Sequence, residues 1–302
     1  MKRVLVTGGT VFISKFVATY YLKKGYEVYV LNRNTKEQVK GVKLINVNRN
    51  NIGDKLKNIY FDVIFDITSY TKNDAQNLIE ALGEFEDYIF ISSSAVYSDN
   101  ALQPFRETQE GGYNTVWKEY GIDKYEAEKY IISKVPQAYI LRPPYFYGPM
   151  QNLYREPFVF ECALKGRKFY IPKDGQMKLQ FFYVGDLCKF MDVILEVKPK
   201  EHIFNVGNKE TITIKQWVEL CYKVVNKKLE VVNVYSVKNQ RDYFCFHDYE
   251  YELDVSNQEK YFSSTKDILD GLKESFEWYI NNKDKVKRKE YIKFIDNILV
   301  GE

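Results

Sequence analysis

The chain contains 302 residues, of which 45% are hydrophobic, and carries a formal charge of +3 at pH 7. This size allows one large globular domain or two joined domains, and the small net charge does not by itself indicate a nucleic-acid-binding protein. No apolar run reaches the roughly 18 residues that a membrane span needs, so we expect no membrane association. The four cysteines and two histidines lack the spacing of metal ligands, so we predict no metal site. The first predicted strand begins at residue 3, so we expect no targeting peptide and a cytoplasmic location.

Apolar strands alternate with amphipathic helices along the chain, a pattern that predicts an α/β fold with a parallel sheet. Right-handed crossovers would bring the carboxyl ends of the strands to one edge, where such folds bind ligands. In the first half, strands are predicted at 3–7, 27–31, 43–47, 61–67, 88–92 and 139–142, with helices at 13–24, 74–82 and 120–134. After residue 148, helices are predicted at 155–165, 186–195, 213–225 and 268–281, strands at 178–184, 202–206 and 230–234, and a basic helix near the C-terminus.

The stretch from residue 3 to residue 14 is a strand, a glycine turn and the start of a helix, which is how a dinucleotide-binding unit begins. Of the three glycines in a G-x-x-G-x-x-G pattern only Gly8 is present, because Val11 and Ser14 occupy the other positions. A β-branched side chain at position 11 must point away from the phosphates or displace them. The turn still offers N–H groups and the positive end of a helix dipole, so we expect phosphate binding in an altered geometry. The predicted contacts are Gly8, Thr10, Val11, Phe12 and Ile13.

The end of the second strand carries Asn32 and Arg33, at the position where an acidic residue would bind the ribose of NAD. Asn32 cannot supply that charge. Arg33, with Lys36 and Arg49, could instead pair with a 2′-phosphate, which favours NADP over NAD. An equally good interpretation is that Arg33 and Lys36 are ordinary charged residues of a solvent-exposed loop. Other residues expected at the ligand-binding edge are Thr7, Asn48, Thr68, Ser93 and Pro143.

A tyrosine and a lysine four residues apart lie on one helical face, where the ammonium can lower the pKa of the phenol and hold a ribose hydroxyl. The chain contains this spacing five times, at Tyr20/Lys24, Tyr120/Lys124, Tyr125/Lys129, Tyr130/Lys134 and Tyr279/Lys283. Spacing alone does not choose among them. Tyr120 and Lys124 stand at the start of the helix that follows the serine-bearing strand, so we predict that this pair is the functional one.

Five motifs follow one another along the chain. They are Thr7-Gly-Gly-Thr-Val-Phe-Ile13, Ile91-Ser-Ser-Ser-Ala-Val-Tyr97, Tyr120-Gly-Ile-Asp-Lys124, Leu141-Arg-Pro-Pro-Tyr-Phe-Tyr-Gly-Pro149 and Phe182-Tyr-Val-Gly-Asp-Leu187. In this order they resemble the extended short-chain dehydrogenases/reductases, the superfamily of the NAD-dependent epimerases and dehydratases. The resemblance implies a Rossmann-like doubly wound parallel sheet, formed by 1–147 and 182–206. It also implies a smaller α/β C-terminal substrate domain, formed by 148–181 and 207–302.

The same resemblance implies roles for individual residues. Tyr120 would be the general acid/base, Lys124 would hold the nicotinamide ribose, and Ser93 would hydrogen-bond the reacting substrate oxygen. NAD or NADP is the implied cofactor, and a nucleotide-sugar is a candidate small-molecule substrate. A homodimer is an option that the sequence itself does not show.

The resemblance is incomplete at the substrate positions. Tyr145 stands where the sugar-nucleotide enzymes usually have asparagine. Leu179 stands where an arginine often binds the nucleotide diphosphate, with Lys178 as a neighbouring cation. Dehydratases of this class carry an Asp-Glu pair after the catalytic serine or threonine, whereas a serine and an alanine follow Ser93 here. Epimerisation or carbonyl reduction is therefore predicted, and dehydration is not.

One subgroup of the superfamily, which resembles the chloroplast stem-loop RNA-binding proteins, also has a Gly-Gly-Thr-x-Phe turn without glycine at x. Its late acidic segment is similar to residues 247–254. This resemblance implies an alternative, an RNA-binding or regulatory protein with a vestigial or sensing cofactor site. The residues do not favour nucleic acid, because the basic run 283–289 contains an aspartate and no aromatic residue. We interpret this run as the solvated face of a helix, and His247 as a structural residue.

Overall fold

A computed structural model describes residues 1–300 of the chain. The strands, numbered in chain order, are β1 (Arg3–Thr7), β2 (Glu27–Asn32), β3 (Lys43–Asn46), β4 (Phe61–Asp66), β5 (Phe85–Ile91), β6 (Tyr139–Arg142), β7 (Tyr145–Tyr147), β8 (Phe169–Pro172), β9 (Lys178–Leu179), β10 (Phe181–Tyr183), β11 (Ile203–Asn205), β12 (Ile212–Thr213) and β13 (Val231–Val234). The α-helices are α1 (Phe12–Lys23), α2 (Lys72–Ala81), α3 (Glu119–Lys134), α4 (Glu156–Leu164), α5 (Val184–Val197), α6 (Ile214–Val224), α7 (Ser256–Glu259), α8 (Ile268–Asn281) and α9 (Tyr291–Phe294). Within residues 1–300, none of the helices has the length and apolar character needed to cross a membrane.

Seven strands form a parallel sheet in the order β11, β6, β5, β4, β1, β2, β3. The chain runs outward from β1 through β2 to β3 and then returns to the other side of β1 to form β4. This reversal next to β1 is a topological switch point, where parallel sheets bind ligands beyond the carboxyl ends of their strands. The predicted α/β fold with a parallel sheet is confirmed.

The two faces of the sheet bury different side chains. Leu5 of β1 lies in one apolar cluster with Leu78 of α2 and Ile131 of α3. On α1, Tyr21 is fully buried and its ring stacks on that of Phe65 of β4, with 4.5 Å between ring centres. Burial of each such side chain contributes about 1.5–3 kcal/mol to the stability of the fold. Helices on both faces thus fix the sheet and the edge at which its strands end.

The chain divides into two compact units. The first comprises Met1–Pro144, Val184–Gly207 and Leu253–Thr265 and contains the seven-stranded sheet. The second comprises Tyr145–Tyr183, Asn208–Glu252 and the chain from Lys266 onward, and it contains three two-stranded sheets with α4, α6 and α8. The segment 253–265 lies in the first unit, whereas the predicted boundaries assign it to the second. A role of the second unit in substrate binding stays a prediction.

Two predicted elements differ in the structure. The strand predicted at 178–184 is divided at Gln180 into β9 and β10, which pair with different strands. The buried side chain of Gln180 donates to the carbonyl of Asn208 (2.8 Å). The basic C-terminal helix is wrong for residues 283–290, where only Lys283–Lys285 forms a 3₁₀ turn. Val286 is the buried apolar residue of this run and its basic side chains are exposed. The run therefore has no apolar stripe that could hold a helix against the protein.

A buried carboxyl group lies in the second unit, at the first residue of α4. Glu156 is fully buried, and neither of its carboxylate oxygens makes a hydrogen bond to another residue. Burial raises its pKa from 4.5 to about 7, because moving the charged form out of water is unfavourable. Folded protein therefore keeps a proton on Glu156 in a pH range where the unfolded chain has released it.

We expect this group to lower the free energy of unfolding by as much as about 3 kcal/mol as the pH rises from 4.5 to 7, because the unfolded state loses its proton first. Glu156→Gln should remove this pH dependence. The free energy of unfolding of the variant, relative to that of the wild type, should therefore be greater above pH 7 than at pH 4.5. Urea unfolding across this pH range measures the difference. Glu219→Gln, at an exposed position of α6, is the control. The same pH dependence in both variants would contradict the assignment.

Candidate active site

The turn after β1 is built so that glycine alone fits its two positions. Gly8 and Gly9 have φ angles of 92° and 86°, in the left-handed region that side chains rarely adopt. A Cβ atom on Gly9 would lie 2.5 Å from the side chain of Val30, and one on Gly8 would lie 2.9 Å from the hydroxyl of Ser14. The two residues after β1 therefore have no side chains, and their backbone can approach the phosphates of a ligand closely.

Helix α1 begins without a side-chain cap. Its N-cap residue is Val11, in an extended conformation with φ −136° and ψ 136°. The first helical residue, Phe12, has a φ of 33°, a strained value of the kind that clusters at ligand-binding sites. Ser14, at the third glycine position, donates its hydroxyl to the carbonyl of Val11 (2.9 Å) and so fixes the turn. The uncapped N–H groups and the positive helix end suit a pyrophosphate, so the turn fits a dinucleotide despite its lost glycines.

A cavity of about 280 Å³ lies beside the turn. Five of the predicted cofactor contacts line it, namely Gly8, Asn32, Arg33, Asn48 and Thr68. The amide of Asn32 donates to the carbonyl of Gly8 (2.7 Å) and to Gln38 (3.0 Å), which ties the loop after β2 to the glycine turn. Arg33 is exposed and makes no ion pair within the described residues. The size and polar lining suit the adenosine half of a dinucleotide.

Thr7 and Ser93, which the sequence also places at this edge, are not among the residues that line this cavity. Thr7 is fully buried because its hydroxyl donates to Asp66 (2.9 Å) and accepts from the N–H groups of Ile67 and Thr68 (2.8 and 3.0 Å). Ser93 follows β5, which β4 separates from β1. Its position therefore corresponds to a different part of the sheet edge.

A fully buried carboxylate, Asp66, ends β4 next to the cavity. It accepts hydrogen bonds from the hydroxyls of Tyr88 (2.8 Å) and Ser69, and the guanidinium of Arg49 lies 3.5 Å away. Arg49 also donates to Thr68 (2.9 Å) and Ser69 (2.6 Å). Arg49, which the sequence groups with Arg33, is thus held by side chains of the protein at this carboxylate.

Tyr120 lies in the first turn of α3, which packs closely against the 3₁₀ turn Ser94–Val96. A Cβ atom on Gly121 would overlap the carbonyl oxygen of Ala95, so the helix approaches this turn as only glycine allows. The side chain of Tyr120 is 41% exposed, and its ring centre is 6.5 Å from that of Tyr70, which follows β4. The structure therefore brings the predicted tyrosine and the serine-bearing turn to the same edge of the sheet.

Lys124 lies one helical turn after Tyr120 and is 2% exposed. Its Nζ donates to the carbonyls of Ser69 (2.8 Å) and Ile91 (2.9 Å) and lies 5.0 Å from the centre of the Tyr70 ring. Burial lowers the pKa of Lys124 from 10.5 to about 8. An ammonium has three N–H donors, so one is left for a hydroxyl of a ribose or a substrate.

The three serines after β5 have different partners. Ser92 donates its hydroxyl to the carboxylate of Glu128, and Ser93 accepts from the N–H of Ala95 (3.1 Å), which makes it the cap of the 3₁₀ turn. The hydroxyl of Ser92 is therefore occupied by a buried carboxylate. Ser93 is half-buried, and a hydroxyl that accepts one hydrogen bond can still donate its own proton.

The other predicted contacts are also located in the first unit. Thr10, Val11 and Ile13 are half-buried at the start of α1. Pro143 is buried, and its carbonyl accepts from the N–H of Ser94 (2.9 Å). This bond joins the end of β6 to the turn after β5.

Glu128 and Arg142 are both buried at this edge, although no sequence pattern described above assigns a role to either residue. Arg142 ends β6 and contacts Glu128 through Nε (3.0 Å) and Nη2 (2.6 Å), while its Nη1 donates to the hydroxyl of Tyr97 (3.0 Å). A signal was present, because Glu128 follows Lys124 by four residues, just as Lys124 follows Tyr120. The three residues form a row along one face of α3.

Comparison with known proteins identifies the family of the chain. Residues 4–207 match the model described as "NAD dependent epimerase/dehydratase family". The chain belongs to this family. Its first unit contains most of the matched range, including the glycine turn, Ser93, Tyr120 and Lys124, and residues 145–183 of the range lie in the second unit. The resemblance drawn from the five sequence motifs is confirmed.

Two relatives of the family differ in what their names describe. The chloroplast stem-loop binding protein of 41 kDa b from Arabidopsis thaliana is 27% identical over 241 residues, which cover 74% of this chain and 63% of the relative. This chain therefore spans less than two thirds of that protein. A putative UDP-glucose 4-epimerase from Methanocaldococcus jannaschii is 23% identical over 324 residues, which cover 92% of this chain and 99% of the relative. The predicted similarity to the stem-loop-binding subgroup is confirmed.

Solved structures of epimerases and dehydratases share the fold. A UDP-N-acetylglucosamine 4-epimerase from Methanobrevibacter ruminantium, in complex with UDP-N-acetylmuramic acid, has a TM-score of 0.75 and 20% identity, covering 93% of this chain and 98% of that one. A dTDP-glucose 4,6-dehydratase from Bacillus anthracis, in complex with NAD, has a TM-score of 0.72 and 19% identity, covering 95% and 99%. At these identities the likeness concerns the fold alone.

Proposed function

We propose that the protein is an NAD(P)-dependent epimerase or carbonyl reductase that acts on a nucleotide-sugar or a related carbonyl or hydroxyl compound. The observation that carries the proposal is the placement of Tyr120 and Lys124 on one face of α3, which Gly121 allows to approach the turn after Ser93. A proton-transferring phenol, an oxygen-binding hydroxyl and an open turn for phosphates are the groups that hydride transfer at a carbinol carbon requires. The fold shared with nucleotide-sugar epimerases supports the same assignment.

Each site residue has one role in the proposed reaction. Tyr120 removes the proton from the substrate hydroxyl or returns it to the carbonyl oxygen, and Ser93 donates a hydrogen bond to that oxygen. Lys124 stabilises the phenolate of Tyr120 and holds a ribose hydroxyl. Because the pKa of Lys124 is about 8, the ammonium form that these tasks require predominates below that pH. A nicotinamide cofactor supplies the hydride acceptor and donor when it is bound.

The proposed cofactor site extends from the glycine turn into the cavity. The N–H groups of 9–13 would hold the pyrophosphate, and the cavity would hold the adenosine. NADP is favoured because Arg33 is an exposed cation in the lining, whereas the carboxylate of Asp74 is occupied by the N–H groups of Tyr70 and Thr71 at 3.0 Å each. Arg49 is held by Asp66 and is assigned no contact with a 2′-phosphate.

Thermal shifts with NAD, NADP and UDP-sugars side by side test the proposal. A ligand at a hundredfold excess over its dissociation constant stabilises the folded protein by about 2.7 kcal/mol, which a melting curve detects. We expect stabilisation by a dinucleotide, larger with NADP than with NAD. A larger effect of NAD would contradict the role of Arg33, and no effect of either dinucleotide would overturn the proposed function.

We propose epimerisation or reduction rather than dehydration. Ser94 and Ala95 occupy the positions at which dehydratases carry their additional acid and base. Both residues are buried, and neither side chain can take up or release a proton near neutral pH. Tyr120, with Ser93 beside it, is then the group left for proton transfer at this edge. One such group suffices for epimerisation or reduction, in which a proton moves at a single substrate oxygen.

RNA binding is the competing function, favoured by the similarity to the stem-loop binding protein. In that case the turn and cavity would be vestigial or would sense a dinucleotide. RNA affinity that falls with rising salt, together with melting curves that do not respond to NAD(H) or NADP(H), would support it. A dinucleotide response without RNA binding would exclude it.

Val11→Gly is expected to tighten dinucleotide binding about tenfold, equivalent to about 1.4 kcal/mol, because backbone at the start of α1 could then approach the pyrophosphate. Calorimetric titration with NAD and NADP measures the change. Val42→Gly, in the loop before β3 and outside the cavity lining, controls for a general effect of glycine on stability. Unchanged affinity in Val11→Gly would indicate that the pyrophosphate lies elsewhere.

A further inference from the structure

One ammonium group in the first unit is buried without a counterion. Lys124 of α3 is 2% exposed, and within residues 1–300 no carboxylate lies within ion-pair distance of its Nζ. The Nζ atom donates to the carbonyls of Ser69 (2.8 Å) and Ile91 (2.9 Å), which are dipoles and carry no full negative charge. Removing an ammonium from water without a paired anion is unfavourable, so further groups must stabilise its charged form.

Two aromatic rings flank this ammonium. The Nζ atom lies 4.7 Å from the ring centre of Phe90 and 5.0 Å from that of Tyr70. The face of an aromatic ring carries partial negative charge, and it attracts a cation within about 6 Å of the ring centre. The attraction is stronger where water is excluded, as it is at the buried Nζ of Lys124.

The two rings differ in their other contacts. Phe90 belongs to β5, is fully buried and lies in the apolar cluster between the sheet and helices α2 and α3. Tyr70 is 52% exposed, and within residues 1–300 its hydroxyl makes no hydrogen bond to another residue. The ring of Tyr70 therefore lies outside the core, beside Lys124 and Tyr120.

The backbone of Tyr70 fixes the position of its ring. The N–H of Tyr70 donates to the carboxylate of Asp74 (3.0 Å), which also accepts from the N–H of Thr71, the N-cap of α2. The preceding residue, Ser69, supplies one of the two carbonyls that bind the ammonium, and its hydroxyl accepts from Arg49 (2.6 Å). Two successive residues therefore contact the ammonium, one through its carbonyl and the other through its ring.

Charged groups from four elements act on Lys124. Its pKa is lowered to about 8, chiefly by burial and in smaller part by the charge of Arg49 in the turn after β3. The carboxylates of Asp66 at the end of β4, Glu128 on α3 and Asp74 on α2 oppose this effect. All three carboxylates accept hydrogen bonds from other groups, so they act on the ammonium from a distance. The two rings are the groups that contact it without a hydrogen bond.

We propose that Tyr70 is a positioning residue whose ring face holds the ammonium of Lys124 in place and in its charged form. The consequence for turnover rests on the proposed function, in which Lys124 acts on Tyr120 and on a ribose hydroxyl. The contact between ring and ammonium does not rest on it. Without the ring face, the side chain of Lys124 would keep its burial and lose an attraction that only the charged form has. The neutral amine would then be populated at lower pH.

NMR of the full chain, labelled with carbon-13 at the ε carbon of lysine, measures the proton loss of Lys124. Its signal should titrate near pH 8, well below the range of solvent-exposed lysines, and should be missing from Lys124→Arg. We expect Tyr70→Leu to lower this midpoint by about one pH unit, because leucine keeps the apolar cover but has no ring face. Tyr70→Phe keeps the ring and should titrate as the wild type does. Tyr60→Leu, at an exposed position before β4, is the matched control.

Turnover provides a second readout. A midpoint lower by about one pH unit reduces the charged fraction of Lys124 at pH 7.5 from about three quarters to about one quarter. Turnover of Tyr70→Leu should therefore be about threefold lower than that of the wild type at pH 7.5 and nearly equal at pH 6. Tyr70→Phe should restore the wild-type rate at both pH values. A merely structural defect would lower the rate equally at both.

Three NMR results would overturn the proposal, namely an unchanged midpoint in Tyr70→Leu, an equal shift in Tyr70→Phe, or an equal shift in Tyr60→Leu. The first would show that burial alone governs Lys124, and the second that the hydroxyl of Tyr70 acts on it instead of the ring. A shifted midpoint with wild-type turnover at every pH would refute the positioning role and leave the proposed function intact. Absence of turnover in the wild type would count against the proposed function, while the midpoints would still decide whether Tyr70 holds the ammonium.

Discussion

Replacing Tyr120 by phenylalanine is expected to abolish measurable turnover, a loss of about 10²- to 10⁴-fold, while the affinity for NAD or NADP stays nearly unchanged. The substitution removes the hydroxyl that moves the proton and keeps the aromatic ring beside Tyr70. In the proposed site, dinucleotide binding depends on the glycine turn, the cavity and Lys124, none of which the substitution alters. Steady-state rates with the UDP-sugar that gives the largest thermal shift, and titration with the dinucleotide, provide the two measurements.

A second tyrosine on α3 provides the matched control. Tyr125 is four residues before Lys129, and its ring lies where a Cβ atom of Gly111 would otherwise be. Lys129 pairs with Glu126 on the helix surface. Tyr125→Phe should therefore keep full turnover. Full activity of Tyr120→Phe, or an equal loss of turnover and dinucleotide binding, would refute the role given to Tyr120.

Glu128→Ala is expected to lower the free energy of unfolding by about 3–5 kcal/mol, because it leaves the guanidinium of Arg142 buried without its counterion. Arg142 and Glu128 are 2% and 1% exposed, and the hydroxyl of Ser92 loses its acceptor in the same variant. Urea or guanidinium unfolding measures the change. A loss this large is a substantial fraction of the stability of most domains.

Two further variants separate the buried ion pair from a general effect of alanine. Glu126→Ala, on the same helix, breaks an exposed pair with Lys129 and should cost at most about 1 kcal/mol. The double variant Glu128→Met/Arg142→Leu should recover most of the lost stability, since neither partner of the pair then remains as an unpaired buried charge. Comparable losses in Glu126→Ala and Glu128→Ala would show that the buried pair adds nothing specific.

The sheet could be predicted from the sequence because its strands are short apolar runs separated by helices. Handedness of the crossovers then fixes which ends meet. The start of α3 was predicted within one residue, at 120 instead of Glu119. The division of the strand at Gln180 could not be predicted, because the carbonyl of Asn208 that accepts from its side chain lies 28 residues away. Local pattern carries no information about a partner at that separation.

The candidate site was predictable to the extent that motif order places residues at strand ends. Ser93, Tyr120 and Lys124 do lie at one edge of the sheet, and their catalytic roles stay a prediction. The pattern could not reveal the φ of Phe12, which depends on how the turn packs. It also could not show which serine would contact Glu128. The three residues are identical in type, and successive side chains of an extended chain point to opposite sides.

Asp66 has a consequence for how proteins of this kind diversify. Its carboxylate is bound by Thr7 of β1, Tyr88 of β5 and Ser69 and is approached by Arg49, so its buried charge is satisfied entirely by the protein. The ends of these strands are therefore held in register with or without a bound molecule. Outside Gly8 and Gly9, substitutions in the turn above them, as at position 11, can change or remove a ligand at little cost to folding. Such tolerance is consistent with a family whose relatives are named both as a putative UDP-glucose 4-epimerase and as a stem-loop binding protein.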